Sequence, residues 1–238
     1  MHRNLLFDLD QTLLDFHASE HIALKTVMEM NGLVFTEERY DFFKQINKKL
    51  WLELEKGMIS RAELFETRFK ILFEECGGNT DGMDLMKINS DFIDCMSKNG
   101  FFMEGAPDFL KKVAGIPDVR IYVITNGATR NAKGRIASTG LNDYICGLFV
   151  SESMGVSKPS HEYFEIVKKA INEPDKSCIV IGDSLTSDML GAKNAGLTSC
   201  WFMPEGDVKG AMKEYDIDYT ASSFDDLFDI LIKWSDTL

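Results

Sequence analysis

The chain has 238 residues, 45% of them hydrophobic and 27% charged, an ordinary composition for a soluble globular protein that buries a core. This length predicts one large domain or one domain that carries an insertion. Asp and Glu number 38 against 26 Lys and Arg, so the formal net charge is −12. Such a charge argues against a nucleic-acid polymer or an anionic membrane surface as the main partner, since both favour a basic face. It is compatible with a small anionic substrate that a metal ion and a few local donors hold.

The cysteines and the N-terminal residues indicate the cellular compartment of the protein. Five cysteines lie far apart in the sequence with no CxxC pair, which disfavours structural zinc and a thioredoxin-type redox site. We therefore expect reduced thiols and a cytoplasmic location. The first residues do not have the pattern of a signal peptide, and the longest nearly apolar stretch, residues 144–150, is far too short to span a bilayer.

The first predicted element is a buried strand over residues 5–9, and the segment after it has only helical patterning up to residue 100. Helices are predicted over residues 17–30, after a cap at Thr36, after a capping box that begins at Ser60, and over residues 91–98. We therefore expect an all-helical domain of residues 15–100, inserted after the first strand of a domain made of residues 1–14 and 101–238.

Beyond residue 101, three more apolar runs predict buried parallel strands, over residues 121–124, 178–181 and 197–202. Helices are predicted around Pro107 and over residues 127–138, 162–171 and 185–195. Gly140 and Gly196 are placed to end two of these helices. Strands that alternate with helices predict an α/β fold, a doubly wound parallel sheet of the Rossmann type with helices on both faces.

Polar residues follow the predicted strands at the edge where a doubly wound sheet binds its ligands. In chain order they are Asp8, Asp10 and Thr12, then Thr125, Asn126 and Gly127, then Lys158, and then Asp183 with Asp188. Carboxylates are hard ligands for Mg²⁺, while hydroxyl, amide and ammonium groups can hold a phosphoryl group. Each group alone has an ordinary interpretation, such as a turn, a helix cap or a surface lysine. Their joint occurrence in order along one edge favours a magnesium and phosphate site.

These motifs resemble those of the haloacid dehalogenase-like superfamily of aspartate-nucleophile phosphohydrolases, over nearly the whole chain. Its four motifs are similar, in order, to Asp8-x-Asp10-x-Thr12, to Thr125, to Lys158, and to Gly182-Asp183 with Asp188. The helical insertion resembles the first-type cap domain of that family. Gln11 departs from the pattern, because many members carry Gly there and others carry Asp or Glu.

The resemblance implies a role for each residue of the predicted site. Asp8 is expected to attack phosphorus, and Mg²⁺ is expected to bind Asp8, the backbone carbonyl of Asp10 and Asp183. Asp10 is expected to protonate the leaving alkoxide and then to take a proton from water.

Three further groups are expected to hold the phosphate oxygens. These are the Thr125 hydroxyl, the amide of Asn126 with the adjacent Gly127, and the Lys158 ammonium. Asp188 is expected to anchor the metal ligands and the lysine from behind, or else to be an ordinary charged residue of its helix.

A narrower likeness connects the chain with the pyrimidine 5′-nucleotidase branch of this superfamily. It rests on Leu13-Leu14-Asp15-Phe16 with Glu20, on residues 46–51 with 55–57, and on residues 150–152 with 155–159. It implies a nucleoside 5′-monophosphate, pyrimidine or non-standard, as the substrate. The alternatives are a phosphosugar or phosphoglycolate-type phosphatase, a phosphomutase on the same fold, or a non-catalytic binding protein. A dehalogenase is disfavoured, because it has no use for Asp10 or for magnesium.

The cap is expected to select the substrate, with residues 14–16 and 101–105 as hinges. Asn47 and Trp51 share one helix face and could offer an amide to base edges and a ring for stacking. The alternative for Trp51 is a place in the cap core. His17 and His21 are one helical turn apart, and either cap packing or a substrate contact fits them. The pathway, the base preference and the oligomeric state are not indicated.

Overall fold

The computed structural model describes residues 2–203 and 206–237. The chain separates into two compact units, one of Met1–Phe16 with Gly100–Leu238 and one of His17–Asn99. Among the helices in the described ranges, none combines the length and the apolar character needed to cross a membrane. All five cysteines are free.

The larger unit is built on a six-stranded sheet in which every neighbouring pair is parallel. In chain order its strands are β1 Arg3–Asp8, β2 Val119–Thr125, β3 Gly147–Val150, β4 Cys178–Gly182, β5 Thr198–Phe202 and β6 Tyr219–Ala221. Their order across the sheet is β3-β2-β1-β4-β5-β6, so the chain winds outwards from β1 in both directions. The predicted doubly wound parallel sheet is confirmed.

The smaller unit contains four helices, α1 Phe16–Met30, α2 Glu37–Glu55, α3 Arg61–Glu75 and α4 Leu85–Lys98. The predicted helix starts are confirmed at two places. The Thr36 side chain accepts a hydrogen bond from the Arg39 N–H at the start of α2. At the start of α3, Ser60 and Glu63 make both hydrogen bonds of a capping box.

Seven helices pack around the sheet within the described part of the larger unit. They are α5 Ala106–Ala114, α6 Thr129–Thr139, α7 Ser151–Met154, α8 His161–Ile171, α9 Leu190–Ala195, α10 Val208–Tyr215 and α11 Phe224–Ser235. Gly140 and Gly196 end α6 and α9 in the left-handed conformation, as predicted.

Alternate side chains of β1 enter two separate apolar cores. Leu5 and Phe7 belong to the core that α5, α6 and α11 cover, whereas Leu6 belongs to the core under α8 and α9. Because helices cover both faces, the central strands are apolar without interruption, which is why their positions could be read from the sequence.

The sequence pattern misses two strands and one irregularity. Strands β3 and β6 are short edge strands with several half-buried residues, so they do not form a clear apolar run. The predicted continuous helix over residues 185–195 is wrong in its first part, because Leu185–Met189 forms a π-helical turn before α9 begins. Turns of this kind often lie at functional sites, and this one carries Asp188.

Candidate active site

Three carboxylates meet beside the carboxyl ends of β1 and β4. Asp8 is the last residue of β1, Asp183 directly follows β4, and Asp188 lies in the π-helical turn. One carboxylate oxygen from each of the three residues lies within 4.8 Å of the other two. Asp8 and Asp188 are buried, and Asp183 is half-buried. The parallel topology produces this meeting, because neighbouring parallel strands end at the same edge of the sheet.

Lys158 is the cation of this cluster. It is buried, and its Nζ donates to Asp8 Oδ1 at 2.5 Å, to Asp188 Oδ1 at 2.7 Å and to the Ile124 carbonyl at 3.1 Å. These three bonds use all the protons of the ammonium. Burial lowers the pKa of Lys158, but the Asp188 and Asp8 carboxylates outweigh it and hold that pKa above its usual value. Lys158 is therefore charged and fixed in direction.

Two carboxyl groups of the cluster, those of Asp8 and Asp183, have raised pKa values. Burial raises the pKa of Asp8 well above its usual value, in opposition to Lys158, and the charges of Asp188 and Asp183 raise it further. Burial, followed by the charge of Asp188, raises the pKa of Asp183 to about 7. One ammonium thus faces several crowded carboxylates, and this hard, anionic donor set fits Mg²⁺.

Gly182 and Asp188 depend on each other. A Cβ atom at Gly182 would collide with the Asp188 carboxyl group, so only glycine leaves room for it there. Asp188 Oδ2 accepts a hydrogen bond from the Ser184 N–H at 3.2 Å, while Oδ1 binds Lys158. Both oxygens of Asp188 therefore have partners within the site, which fits the anchoring role predicted for it.

Asn126 is tied to the loop that carries Lys158. Its Nδ2 donates to the Lys158 carbonyl, and its Oδ1 accepts from the Lys158 N–H, both at 2.9 Å. The side-chain amide of Asn126 is thus engaged with the neighbouring loop, and the phosphate contact expected of the Asn126 amide stays a prediction. In this structure Asn126 positions Lys158.

Thr125, Gly127 and Asp10 lie close together. Thr125 ends β2, is buried, and accepts a hydrogen bond at Oγ1 from the Gly127 N–H at 3.0 Å. A Cβ atom at Gly127 would lie 3.2 Å from Thr125 Oγ1 and 3.7 Å from Asp10 Oδ2. The loop after β2 therefore runs directly beside Asp10, as the order of the motifs predicts.

Two residues of the site were missed from the sequence. Arg135 on α6 is fully buried, and its Nη2 lies 2.5 Å from Asp10 Oδ1. Its signal in the sequence was an arginine next to Ile136 and three residues after Ala132, on the buried face of a helix. Trp201 on β5 donates its indole N–H to the Asp183 carbonyl at 2.8 Å. In the sequence Trp201 is simply part of an apolar run.

Gln11, which departs from the family pattern, has a backbone conformation that favours glycine. Gln11 has a φ of 58°, in the left-handed region that favours glycine. Its side chain accepts a hydrogen bond from the Phe16 N–H at 2.8 Å, at the first residue of α1. The backbone conformation of Gln11 is unfavourable for a residue with a side chain, but that side chain caps the start of α1.

Asn47 and Trp51, the predicted substrate-contacting residues of the cap, make contacts inside the smaller unit. Asn47 is buried, donates to Glu20 Oε1 at 2.8 Å, and accepts from Arg68 at 3.3 Å. Trp51 is half-buried, packs against the apolar residues of α2 and α3, and lies 5.6 Å beneath the Arg61 guanidinium. The amide of Asn47 is therefore part of an internal polar network.

The two histidines of α1 also have neighbours within this unit. His21 Nε2 lies 3.0 Å from Glu37 Oε1, and its ring packs against Phe35 and Tyr40. His17 Nδ1 lies 3.6 Å from the Glu20 carboxylate. These contacts fit the packing role that was one of the two alternatives.

Comparison with known proteins gives concordant matches. A family model for haloacid dehalogenase-like hydrolases matches residues 2–196. YfnB from Bacillus subtilis, described as a HAD-hydrolase, is 34% identical over 97% of this chain and 95% of its own length. The pyrimidine 5′-nucleotidases PynA from Streptococcus pneumoniae and YjjG from Escherichia coli are 35% and 32% identical, over 96% and 85% of this chain and 94% and 89% of their own. A crystal structure of YfnB bound to magnesium has a TM-score of 0.86 at 31% identity, covering 97% of this chain and 98% of that one.

Proposed function

The chain belongs to the haloacid dehalogenase-like hydrolase family, and on that premise we propose that this phosphatase is a Mg²⁺-dependent 5′-nucleotidase that acts through an aspartyl-phosphate. The observation that carries the proposal is the buried Asp8 carboxylate at the end of β1, held by Lys158 beside two more carboxylates. A site of this kind suits a small phosphomonoester, and a cytoplasmic location with reduced thiols is part of the proposal.

Asp8 is the nucleophile of this proposal. Its oxygen forms a bond to phosphorus while the bond from phosphorus to the ester oxygen breaks. Lys158 holds Asp8 in direction and supplies positive charge beside the phosphoryl group, and the Thr125 hydroxyl is placed to bind a phosphate oxygen. Asp10 gives its proton to the leaving alkoxide and then takes a proton from the water that releases phosphate.

The proposed ligands of Mg²⁺ are Asp8, the backbone carbonyl of Asp10 and Asp183. Asp188 keeps its two partners, Lys158 and the Ser184 N–H, and holds the lysine from behind. When bound, Mg²⁺ would neutralise phosphate charge and make the phosphorus more electrophilic.

The proposed substrates are pyrimidine or non-standard nucleoside 5′-monophosphates. Support comes from PynA and YjjG, two relatives that are named pyrimidine 5′-nucleotidases and match most of the chain. The three stretches that resemble this branch lie at the start of α1, at the end of α2, and in the segment from the end of β3 to Pro159.

A screen of phosphate release tests both levels of the proposal. Nucleoside monophosphates, phosphosugars and phosphoglycolate would be compared at equal concentration, with Mg²⁺ present or chelated. We expect the highest kcat/KM for a pyrimidine nucleotide and loss of turnover with chelator. A clear preference for a phosphosugar would overturn the nucleotidase assignment and leave the phosphatase chemistry intact, whereas activity that resists chelation would contradict the metal dependence.

A further inference from the structure

The two oxygens of the Asp10 carboxyl group lie in different surroundings. Oδ1 is buried and forms an ion pair with Arg135 Nη2 at 2.5 Å, although neither atom has a hydrogen-bond partner among the described residues and the Asp10 side chain as a whole is 27% exposed. Oδ2 is the oxygen on the side of Gly127, where a Cβ atom would lie 3.7 Å from it. One oxygen is thus held inside the protein, and the other lies beside the loop after β2.

Arg135 is itself enclosed by packing. Its side chain has no exposure to solvent, and the Phe16 ring lies 5.4 Å from its guanidinium carbon. The helix backbone around it is close-packed, since a Cβ atom at Gly100 would lie 2.6 Å from the Arg135 carbonyl oxygen. Among the residues that the structure describes, Asp10 is the only carboxylate within ion-pair distance of Arg135.

We infer that Arg135 is a positioning residue for the proton transfers, which holds Oδ1 of Asp10 so that Oδ2 is the oxygen that exchanges protons. The inference rests on the proposed function, in which Asp10 is the general acid and base. The proton on Oδ2 moves to the ester oxygen as its bond to phosphorus breaks. Oδ2 then takes a proton from the water whose oxygen attacks the aspartyl-phosphate, and free phosphate and the Asp8 carboxylate are released.

The physical reason lies in the freedom of a carboxyl group. Rotation about the last bond of an aspartate side chain is broad and nearly two-fold, so an unheld carboxyl group presents either oxygen. A buried, planar guanidinium that is ion-paired with one oxygen favours a single orientation of the carboxyl group and therefore sets the direction of the other oxygen. Proton transfer in a transition state needs such alignment, and a misplacement of about 1 Å can cost about 10²-fold in rate.

The test compares two substrates of similar shape, phenyl phosphate and p-nitrophenyl phosphate. Phenolate is the poorer leaving group and needs a proton, whereas p-nitrophenolate leaves without one. The quantity measured is kcat/KM, which reports the steps up to formation of the aspartyl-phosphate and is unaffected by its hydrolysis. The variants are Asp10→Asn, Arg135→Met, Arg135→Lys, and Lys133→Met as a matched control on the exposed face of α6.

We expect Asp10→Asn to lose about 10²–10⁴-fold on phenyl phosphate and far less on p-nitrophenyl phosphate. Arg135→Met should show the same asymmetry at about 10- to 10²-fold, and Arg135→Lys, which keeps a cation, should lose less. Lys133→Met should match the wild type. The double variant Asp10→Asn/Arg135→Met should be no worse than Asp10→Asn alone, because both changes act through one group.

Equal losses on the two substrates in Arg135→Met would overturn the inference, as would losses that multiply in the double variant. A melting curve accompanies each variant, and if Arg135→Met does not fold, the same comparison on Arg135→Lys decides. The proposed function fails separately, and visibly, if Asp10→Asn itself loses both substrates equally.

Discussion

At the scale of single residues, the site consists of polar groups that fix one another. Lys158 is held by two carboxylates and a carbonyl, and its backbone is held by Asn126. Burial makes each of these bonds hard to replace by water, since an unpaired buried donor or acceptor costs about 1–3 kcal/mol. These groups are therefore fixed in place without a bound substrate, as the electrostatic catalysis proposed above requires.

Replacement of the nucleophile tests the covalent route. Asp8→Asn keeps the shape of the side chain but removes the attacking charge, so turnover should fall at least about 10³-fold. The control is Asp229→Asn, an equal change at an exposed acid of α11, which should leave phosphate release unaltered. Activity that survives in Asp8→Asn and separates from contaminants would exclude an aspartyl-phosphate on this residue.

Replacement of Asp10 should make that intermediate visible. With p-nitrophenyl phosphate, Asp10→Asn can still form the aspartyl-phosphate, but it cannot activate the water that hydrolyses it. We expect a burst of p-nitrophenolate and a covalent phosphate on Asp8 after acid quench, detected by mass spectrometry. Slow release with neither burst nor adduct would contradict the two-step role of Asp10.

Asn126 offers a test of positioning. Asn126→Ala removes both hydrogen bonds to the Lys158 backbone, so the free energy of unfolding should fall by about 1–3 kcal/mol. The rate should fall as well, roughly 10-fold, because Lys158 is no longer aligned. Urea denaturation and steady-state kinetics would measure the two effects, and a stability loss with unchanged kcat would show that the loop does not direct catalysis.

At the scale of elements, the helical unit encloses a polar network inside an aromatic core. Arg68 on α3 is buried, donates to Asn47 on α2 and Asn89 on α4, and has the rings of Phe69 and Phe92 within 5.2 Å. Burial lowers its pKa to about 10, in opposition to the charge of Glu20, so the guanidinium stays protonated at neutral pH. The network joins α1, α2, α3 and α4 at their centre.

This network gives Asn47 a structural role that can be separated from base recognition. Asn47→Ala should lower the free energy of unfolding by about 1–3 kcal/mol, because it removes one hydrogen bond from the buried Glu20 carboxylate and one from the buried Arg68 guanidinium. We expect kcat/KM to change by the same factor for a nucleoside monophosphate and for p-nitrophenyl phosphate.

Trp51 provides the comparison on the same helix. Its ring is half-buried, and base stacking is worth roughly 1–3 kcal/mol, so a stacking role would make Trp51→Ala lose about 5- to 150-fold on the nucleotide alone. A selective loss in Asn47→Ala but not in Trp51→Ala would reverse the roles assigned here. Circular dichroism on both variants verifies that the helices remain folded.

At the scale of the whole molecule, the crowded carboxylates at the end of the sheet link metal binding to stability. Asp8, Asp183 and Asp188 lie close together in the folded state, and burial, followed by the charge of Asp188, raises the pKa of Asp183 to about 7. A cation that binds only the folded protein offsets the repulsion between these charges and stabilises the fold.

The melting temperature should therefore rise with Mg²⁺ and fall again with chelator. At a concentration of 100 times Kd the expected stabilisation is about 2.7 kcal/mol. Asp183→Asn should abolish the shift together with the activity, while the exposed Asp229→Asn should keep both. A melting temperature that does not respond to Mg²⁺ in the wild type would argue against the metal site.

The sequence by itself determined the class of fold and predicted the polar groups that meet at the candidate site. Central strands of a parallel sheet are buried on both faces, so β1, β2, β4 and β5 are readable as apolar runs, and the residues that follow them must meet at one edge. Local sequence signals also predicted where helices begin and end, as with the capping box at Ser60 and the glycine that ends α6.

Only the tertiary structure decided which side chains contact the residues of the candidate site. The pairs Arg135 with Asp10, Asn126 with Lys158, and Trp201 with Asp183 join residues that are distant in sequence, and no periodicity encodes such a pair. The edge strands β3 and β6 were missed because half-buried strands lack a continuous apolar run. Periodicity reports whether a residue is buried, whereas the partner of a buried polar group is set by how separate elements pack.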